Sequence, residues 1–304
     1  MSVTPWLAIP CTIACALLYT SLKSSDPYGS YHISLNKDPD DDDDDDEPRT
    51  EWLNMGLWRD TDKFPKACEA LALHLFRAAA LKQHGTILDV GHGSGDSLLL
   101  LLSHPDVPRP DVLCGITSLP GHRARSKARI GHLLSSNDEP DTQTRVFLFN
   151  SDAVFRSGIS DSHPLSTDSP YHFDTVLALD CAYHLRTRFE FLGQSFAHLV
   201  PGGRIALADI CFERTPSVFA TLMLSLVFRV MPQSNVITKQ QYVGEMERIG
   251  YINVQLEDIT QSVFPGFRKF LGGQGLGFRL FGRVLGWLEQ WQGRFVIVTA
   301  TKPS

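Results

Sequence analysis

The 304-residue chain has no CxxC pair, and its six cysteines, Cys11, Cys15, Cys68, Cys114, Cys181 and Cys211, are scattered without zinc-type spacing. That excludes a zinc ribbon or finger and fits reduced thiols. No paired His spacing suggests another metal site, so none is expected. A GxxxxGK[ST] loop is absent, which excludes a nucleoside-triphosphate loop of that type. A dense basic stripe is also absent, so nucleic acid is not an expected partner. The net charge of -6 misleads, because Asp38, the seven aspartates 40–46 and Glu47 form one acidic cluster. Without its 9 acids, 25 acids face 28 bases over the rest of the chain.

Charge is missing altogether from residues 6–22, a 17-residue stretch. A membrane-spanning helix needs roughly 17–25 residues, so the stretch meets the lower limit. Lys23 follows it, which favours a cytoplasmic C-terminal side. The expectation is one membrane anchor over residues 1–23 with a cytosol-facing catalytic domain. The rivals are a processed leader and a merely apolar terminus of a cytoplasmic protein. Residues 24–49 are polar and acidic with three prolines, and are expected to be a disordered linker. The folded domain is expected over residues 50–304.

Within that domain, apolar residues at helical spacing predict a helix over residues 64–83. Short apolar runs then alternate with helical segments. Strands are expected at 86–90, 111–116, 145–149, 173–179, 204–210 and 295–299, and helices at 94–102, 122–134 and before Leu199. Such alternation specifies a mostly parallel sheet covered on both faces.

The strongest local signal is Ile87-Leu88-Asp89-Val90-Gly91-His92-Gly93-Ser94-Gly95-Asp96, placed where a first strand ends and a helix begins. Small residues there let a nucleoside approach the backbone. The spacing is GxGxG after an acidic strand end. The dinucleotide pattern GxGxxG requires glycine where Asp96 stands. A carboxylate at the helix start also disfavours a pyrophosphate.

Leu88 to Gly95 resembles the first motif of the class I S-adenosylmethionine-dependent methyltransferases. Several later segments keep step with that family, and with its tocopherol, sterol and cyclopropane-synthase-type branch. They are Gly115-Ile116-Thr117-Ser118, Phe149-Asn150-Ser151-Asp152-Ala153, residues 173–180, and the LxPGG-type turn Leu199-Val200-Pro201-Gly202-Gly203. Asn54-Met55-Gly56-Leu57-Trp58 is similar to the NxGxW segment of its lipid-modifying members. The resemblance implies a Rossmann-like α/β fold with a seven-stranded sheet, an antiparallel last strand, and S-adenosyl-L-methionine as cofactor. It implies cofactor contacts at Asp89, Gly91, His92, Gly93 and Gly95, at Thr117 and Ser118, at Asp152 with Ala153 beside the adenine, and at Asp180. Thr117 stands where many members carry a ribose-binding acid.

A base is expected after strand four, at Asp180-Cys181-Ala182-Tyr183-His184. The branch carries a Glu-His pair there, and only the histidine matches. His184 faces the acceptor as a base or caps the next helix, and Tyr183 orients the acceptor or packs in the core. Asp209, ending strand five, is a further candidate.

Two segments are unusually apolar. Residues 216–231 contain one charge, Arg229, with Thr215 as expected N-cap. Residues 263–291 interleave aromatics and aliphatics with Arg268, Lys269, Arg279 and Arg283. They are expected to be substrate-covering insertions, around 215–231 and 262–292, with a face that touches a membrane or admits a small lipophilic substrate. Ordinary core packing is the alternative. For the whole chain, the competing functions are a nicotinamide-dependent oxidoreductase and a non-catalytic cofactor-binding module.

Overall fold

The computed structural model describes residues 33–37, 48–136, 144–158 and 163–304. Helix α1 (Phe64–Ala79) begins with Pro65 in its first turn and ends where Ala80 turns left-handed, earlier than the periodicity predicts. Strand β1 (Thr86–Val90) follows, then α2 (Asp96–Ser103), β2 (Val112–Thr117), α3 (Pro120–Ser136) and β3 (Arg145–Asn150). Next come β4 (Phe173–Leu179), α4 (Arg188–His198) and β5 (Leu199–Phe212). A short helix α5 (Val218–Leu222) runs into a π-type turn, Met223–Val227. The chain ends with α6 (Lys239–Ile249), β6 (Ile252–Asp258), α7 (Thr260–Gly272), α8 (Leu276–Gln290) and β7 (Gly293–Thr301).

The seven strands lie in the order β3-β2-β1-β4-β5-β7-β6. All neighbours from β3 to β5 are parallel, while β7 is antiparallel to β5 and β6. The Rossmann-like mostly parallel sheet is therefore as expected. The order reverses between β1 and β4, so the carboxyl ends of these two strands open a crevice where ligands bind in open α/β sheets. The central strands are apolar because both faces are covered. Leu71, Leu75, Leu98, Ile130, Phe264 and Leu285 form the core on one face, and Phe191, Leu192, Tyr242 and Met246 on the other.

Strand β6 was not among the strands placed by the sequence pattern. It is an edge strand that leaves Ile252 exposed, and its pairing with β7 is shifted between Ile252 and Gln255. Edge exposure removes the continuous apolar run that marks the central strands.

Two expectations need correction. Among the described residues no helix is long and apolar enough to cross a membrane, which tells against the expected transmembrane span and membrane localisation; the anchor expected over residues 1–23 itself lies outside the described residues. Second, the N-cap of α5 is Ser217, whose side chain accepts from the Ala220 N–H, and not Thr215. Residues 263–291 combine packing with cavity lining: Phe264, Leu271 and Leu288 are buried where α7 and α8 pack on each other and on β7, while Phe267, Phe278, Phe281 and Leu285 line a cavity.

Part of the expected linker is also structured. Residues Ser34–Asn36 form a 3-10 turn. The Asn36 amide donates to the Trp52 carbonyl at 3.0 Å and accepts the Trp52 N–H at 2.8 Å. A side chain thereby copies a strand-like backbone pairing.

Candidate active site

The sequence after β1 turns sharply because Gly91 adopts φ 76°. A Cβ there would lie 2.6 Å from the Cys181 sulfur, so only glycine fits between β1 and the end of β4. Gly95 serves helix packing instead. Its missing Cβ lets α3 approach, since one would lie 2.8 Å from that of Ser126. Asp96 opens α2 and is held by Arg129 through two contacts of 2.7 Å, and it accepts the Glu51 N–H. Glu51 in turn pairs with Arg125.

The turn borders a cavity of about 570 Å³. Val90 to Ser94 line it from β1, Ile116 to Leu119 from β2, Ser151 and Ala153 beyond β3, and Leu179 to Cys181 from β4. The opposite wall is apolar: Leu35, Trp52, Met55, Phe64, Tyr183, Phe228, Phe267, Phe278, Phe281 and Leu285. Gly91, His92, Gly93, Thr117, Ser118, Ala153, Asp180, Tyr183 and His184 of the expected residues therefore meet in one cavity.

Three expected cofactor residues do not line it. Asp89 is buried beneath the turn and accepts the Ser97 hydroxyl at 2.6 Å. Burial pushes its carboxyl up to about 7, the Ser97 bond opposing. Its visible work is to tie β1 to α2. Gly95 is a packing glycine. Asp152 is exposed at the end of β3, and its carboxylate accepts the Val154 N–H at 3.0 Å.

Asp180 has φ 56° and is 9% exposed. One carboxylate oxygen accepts the Met55 N–H at 2.7 Å, and the other is buried with no hydrogen-bond partner. Burial raises its carboxyl to about 8, against the lowering effect of Met55 and Tyr183. The ring of His92 lies against Gly115, where a Cβ would approach it to 2.8 Å. Its Nδ1 pairs with the Gly93 carbonyl at 3.0 Å, its Nε2 is buried without a partner, and burial lowers it to about 4.

The segment after β4 is a 3-10 turn, Ala182–His184. The Tyr183 and His184 rings lie 4.1 Å apart. His184 is accessible from the cavity although protein surrounds it, and this enclosure lowers its imidazole to about 4, against a bond to the Val230 backbone. The turn is pinned from behind by a residue the sequence did not reveal. The Asn235 amide donates to the Tyr183 carbonyl at 2.9 Å and to the Leu185 carbonyl at 2.6 Å. Asp209 is not a cavity residue. It is fully buried, paired with Arg188 at 3.0 Å and accepting the Tyr242 hydroxyl at 2.6 Å.

The NxGxW segment is a clamp. Trp58 Nε1 donates to the Met55 carbonyl at 2.7 Å, and Asn54 Oδ1 accepts the Gly56 N–H at 2.9 Å. The clamp presents the Met55 N–H to Asp180 and places Trp52 to Met55 in the cavity wall.

Sequence comparison finds relatives consistent with this geometry. The chain is 24% identical over 220 residues to erythromycin 3''-O-methyltransferase of Saccharopolyspora erythraea, covering 70% of this chain and 65% of that one. It is 23% identical over 223 residues to 27-O-demethylrifamycin SV methyltransferase of Amycolatopsis mediterranei, covering 72% and 73%. The match thus spans slightly less than two thirds of the first of these relatives. No model of a known protein family matches the chain. Among solved structures, the cyclopropane synthase MmaA2 of Mycobacterium tuberculosis superposes with a TM-score of 0.64 at 12% identity, covering 90% of this chain and 94% of that one. The chain carries the class I methyltransferase fold. Geranyl diphosphate C-methyltransferase of Streptomyces coelicolor A3(2), solved with Mg2+, geranyl diphosphate and S-adenosyl-L-homocysteine, shares that fold with a TM-score of 0.60 at 14% identity, covering 79% and 82%. In sequence and fold alike, the chain is a relative of small-molecule S-adenosylmethionine-dependent methyltransferases.

Proposed function

We propose that this protein transfers the methyl group of S-adenosyl-L-methionine to a small lipophilic acceptor of lipid, terpenoid, polyketide or quinone type. The observation that carries the proposal is one continuous cavity that joins the glycine turn to an apolar wall. The relatives named for methyl transfer to erythromycin and to a rifamycin support a small-molecule acceptor.

The turn fits the cofactor on two grounds. Gly91 and Gly93 line the cavity with bare backbone, which a nucleoside can approach closely. The unpartnered Asp180 oxygen suits a cationic amino-acid end. We assign Thr117 and Ser118 to the ribose side, and Ala153 to the adenine side. When bound, the sulfonium supplies a methyl group already activated by positive charge, for in-line displacement by the acceptor. The protein then has to hold the acceptor in line, exclude water and take a proton. The apolar wall performs the first two. His184, neutral near pH 7 and accessible from the cavity, accepts the proton, while Tyr183 fixes its ring.

Incubating the protein with methyl-labelled S-adenosylmethionine and organic-solvent extracts of cells tests the assignment. Label in an extractable small molecule is the expected result. Label confined to macromolecules, or none, would refute it.

A further inference from the structure

We propose that the acceptor carries a carboxylate on an otherwise apolar body, and that Arg229 is the residue that recognises it. The proposal rests on the methyl-transfer reading only for the existence of an acceptor.

Arg229 is the one lysine or arginine among the described residues that line the cavity. No ion pair or side-chain hydrogen bond engages it among the described residues, and it is exposed. The neighbouring guanidiniums are committed elsewhere: Arg125 to Glu51, Arg129 to Asp96 and Arg188 to Asp209. Of the acids lining the cavity, Glu51 and Asp96 hold those arginines, and the unpartnered Asp180 oxygen is assigned to the cationic end of the cofactor.

The backbone at this point is constrained in an unusual way. Arg229 has φ 51°, a conformation that a residue with a Cβ seldom adopts. It follows the π-type turn Met223–Val227 and is bracketed by two bonds, Phe228 N–H to the Met223 carbonyl at 2.8 Å and Val230 N–H to the Leu224 carbonyl at 2.9 Å. π-Type turns and left-handed non-glycine residues both concentrate at ligand sites, where the surrounding structure enforces them. Here the constraint sets a cation between Phe228 and Val230, which also line the cavity, and Phe228 is fixed by stacking on Trp287 at 5.6 Å. The Val230 backbone bonds His184, so the strained loop adjoins the proposed base.

A lone cation on an apolar wall selects for an anion. A planar guanidinium matches a carboxylate with two parallel bonds, which the ammonium of lysine does not. An uncharged amide of the same length offers Arg229 one carbonyl acceptor and no charge, so it compensates less well for the water it displaces.

Calorimetry on the full chain loaded with S-adenosylhomocysteine tests this, with decanoate and decanamide as probes. Decanoate is expected to bind about tenfold tighter than decanamide, the scale of one charge-assisted bond. Arg229→Gln is expected to abolish the preference, and Arg229→Lys to keep part of it, both with unchanged affinity for S-adenosylhomocysteine. Equal binding of the two probes, binding of neither, or a preference that survives Arg229→Gln overturns the proposal. If S-adenosylhomocysteine itself fails to bind, the methyl-transfer reading fails, while the probe preference of the unloaded chain still decides this one.

Discussion

The Met55 N–H donates to Asp180 at 2.7 Å, joining the segment before α1 to the carboxyl end of β4 across 125 positions of sequence. The bond leaves the second Asp180 oxygen buried and unpaired. A pH dependence follows. Burial raises Asp180 to about 8 and Asp89 to about 7, from an ordinary 3.8. The folded chain therefore keeps two protons that the unfolded chain has released, and stability falls as pH rises from about 4 to 8. His92 acts in the opposite sense. It is buried and lowered to about 4 from 6.5, so its contribution is complete above 6.5 and lost as pH falls toward 4. It offsets one of the two acids up to pH 6.5, and only the acids act beyond it. Stability without cofactor should decline gently from pH 5 to 6.5 and more steeply from there to pH 7, then continue to fall to pH 8 by on the order of 1 kcal/mol per unit for the acid still titrating. Asp180→Asn should remove the decline above pH 7. Denaturant titrations across this range check it, and a rise in stability from pH 6.5 to 8.5 would contradict it.

Arg188 and Asp209 form a fully buried pair at 3.0 Å. The Arg188 guanidinium also donates to the Asn235 carbonyl at 3.0 Å and lies 4.6 Å from the Tyr242 ring centre. Removing one charge strands the other. Asp209→Ala should cost about 3–5 kcal/mol of stability, and the double variant Arg188→Met, Asp209→Leu clearly less. Equal losses in the single and double variants would show that packing, not charge, is at stake.

Gly91→Ala meets two obstacles, a left-handed backbone and the Cys181 sulfur at 2.6 Å. Its backbone strain alone is about 1–2 kcal/mol. Affinity for S-adenosylhomocysteine should fall at least about tenfold, by the conversion of 1.4 kcal/mol per decade. Adding Cys181→Ala relieves the contact but not the backbone, so affinity should stay low. Full recovery in the double variant would mean that the contact is the only constraint.

His184→Ala should lower kcat by about 10²-fold or more, the scale of lost proton transfer, and leave S-adenosylhomocysteine affinity unchanged. With the imidazole at about 4, the acid limb of kcat should fall near pH 4 and not near 6.5. A limb at 6.5, or an unaltered kcat in His184→Ala, removes His184 from the role of base.

The central sheet was legible because its strands are buried on both faces and read as short apolar runs, each closed by glycine or a polar residue. β1 and β4 match their expected limits to the residue. β6 escaped because one exposed face interrupts such a run. The glycine turn was legible because backbone geometry restricts the residue type locally. Asp209 was visible as a strand-end acid, but its meaning lies in Arg188, whose pairing no local pattern predicts. Leu35 was hidden for a related reason. Its surroundings read as a tether, and it reaches the cavity wall through the Asn36–Trp52 bonds, formed 16 residues away. Arg229 was conspicuous as the single charge in an apolar stretch. Its conformation and setting required the structure.

The most direct measurement is calorimetry of the purified full chain with S-adenosylhomocysteine and, separately, with NAD. Saturable one-to-one binding of S-adenosylhomocysteine, weakened by Gly91→Ala, together with no heat from NAD, is the expected result. Binding of NAD in its place, or of neither compound, would contradict the assignment of the glycine turn to a sulfonium nucleoside.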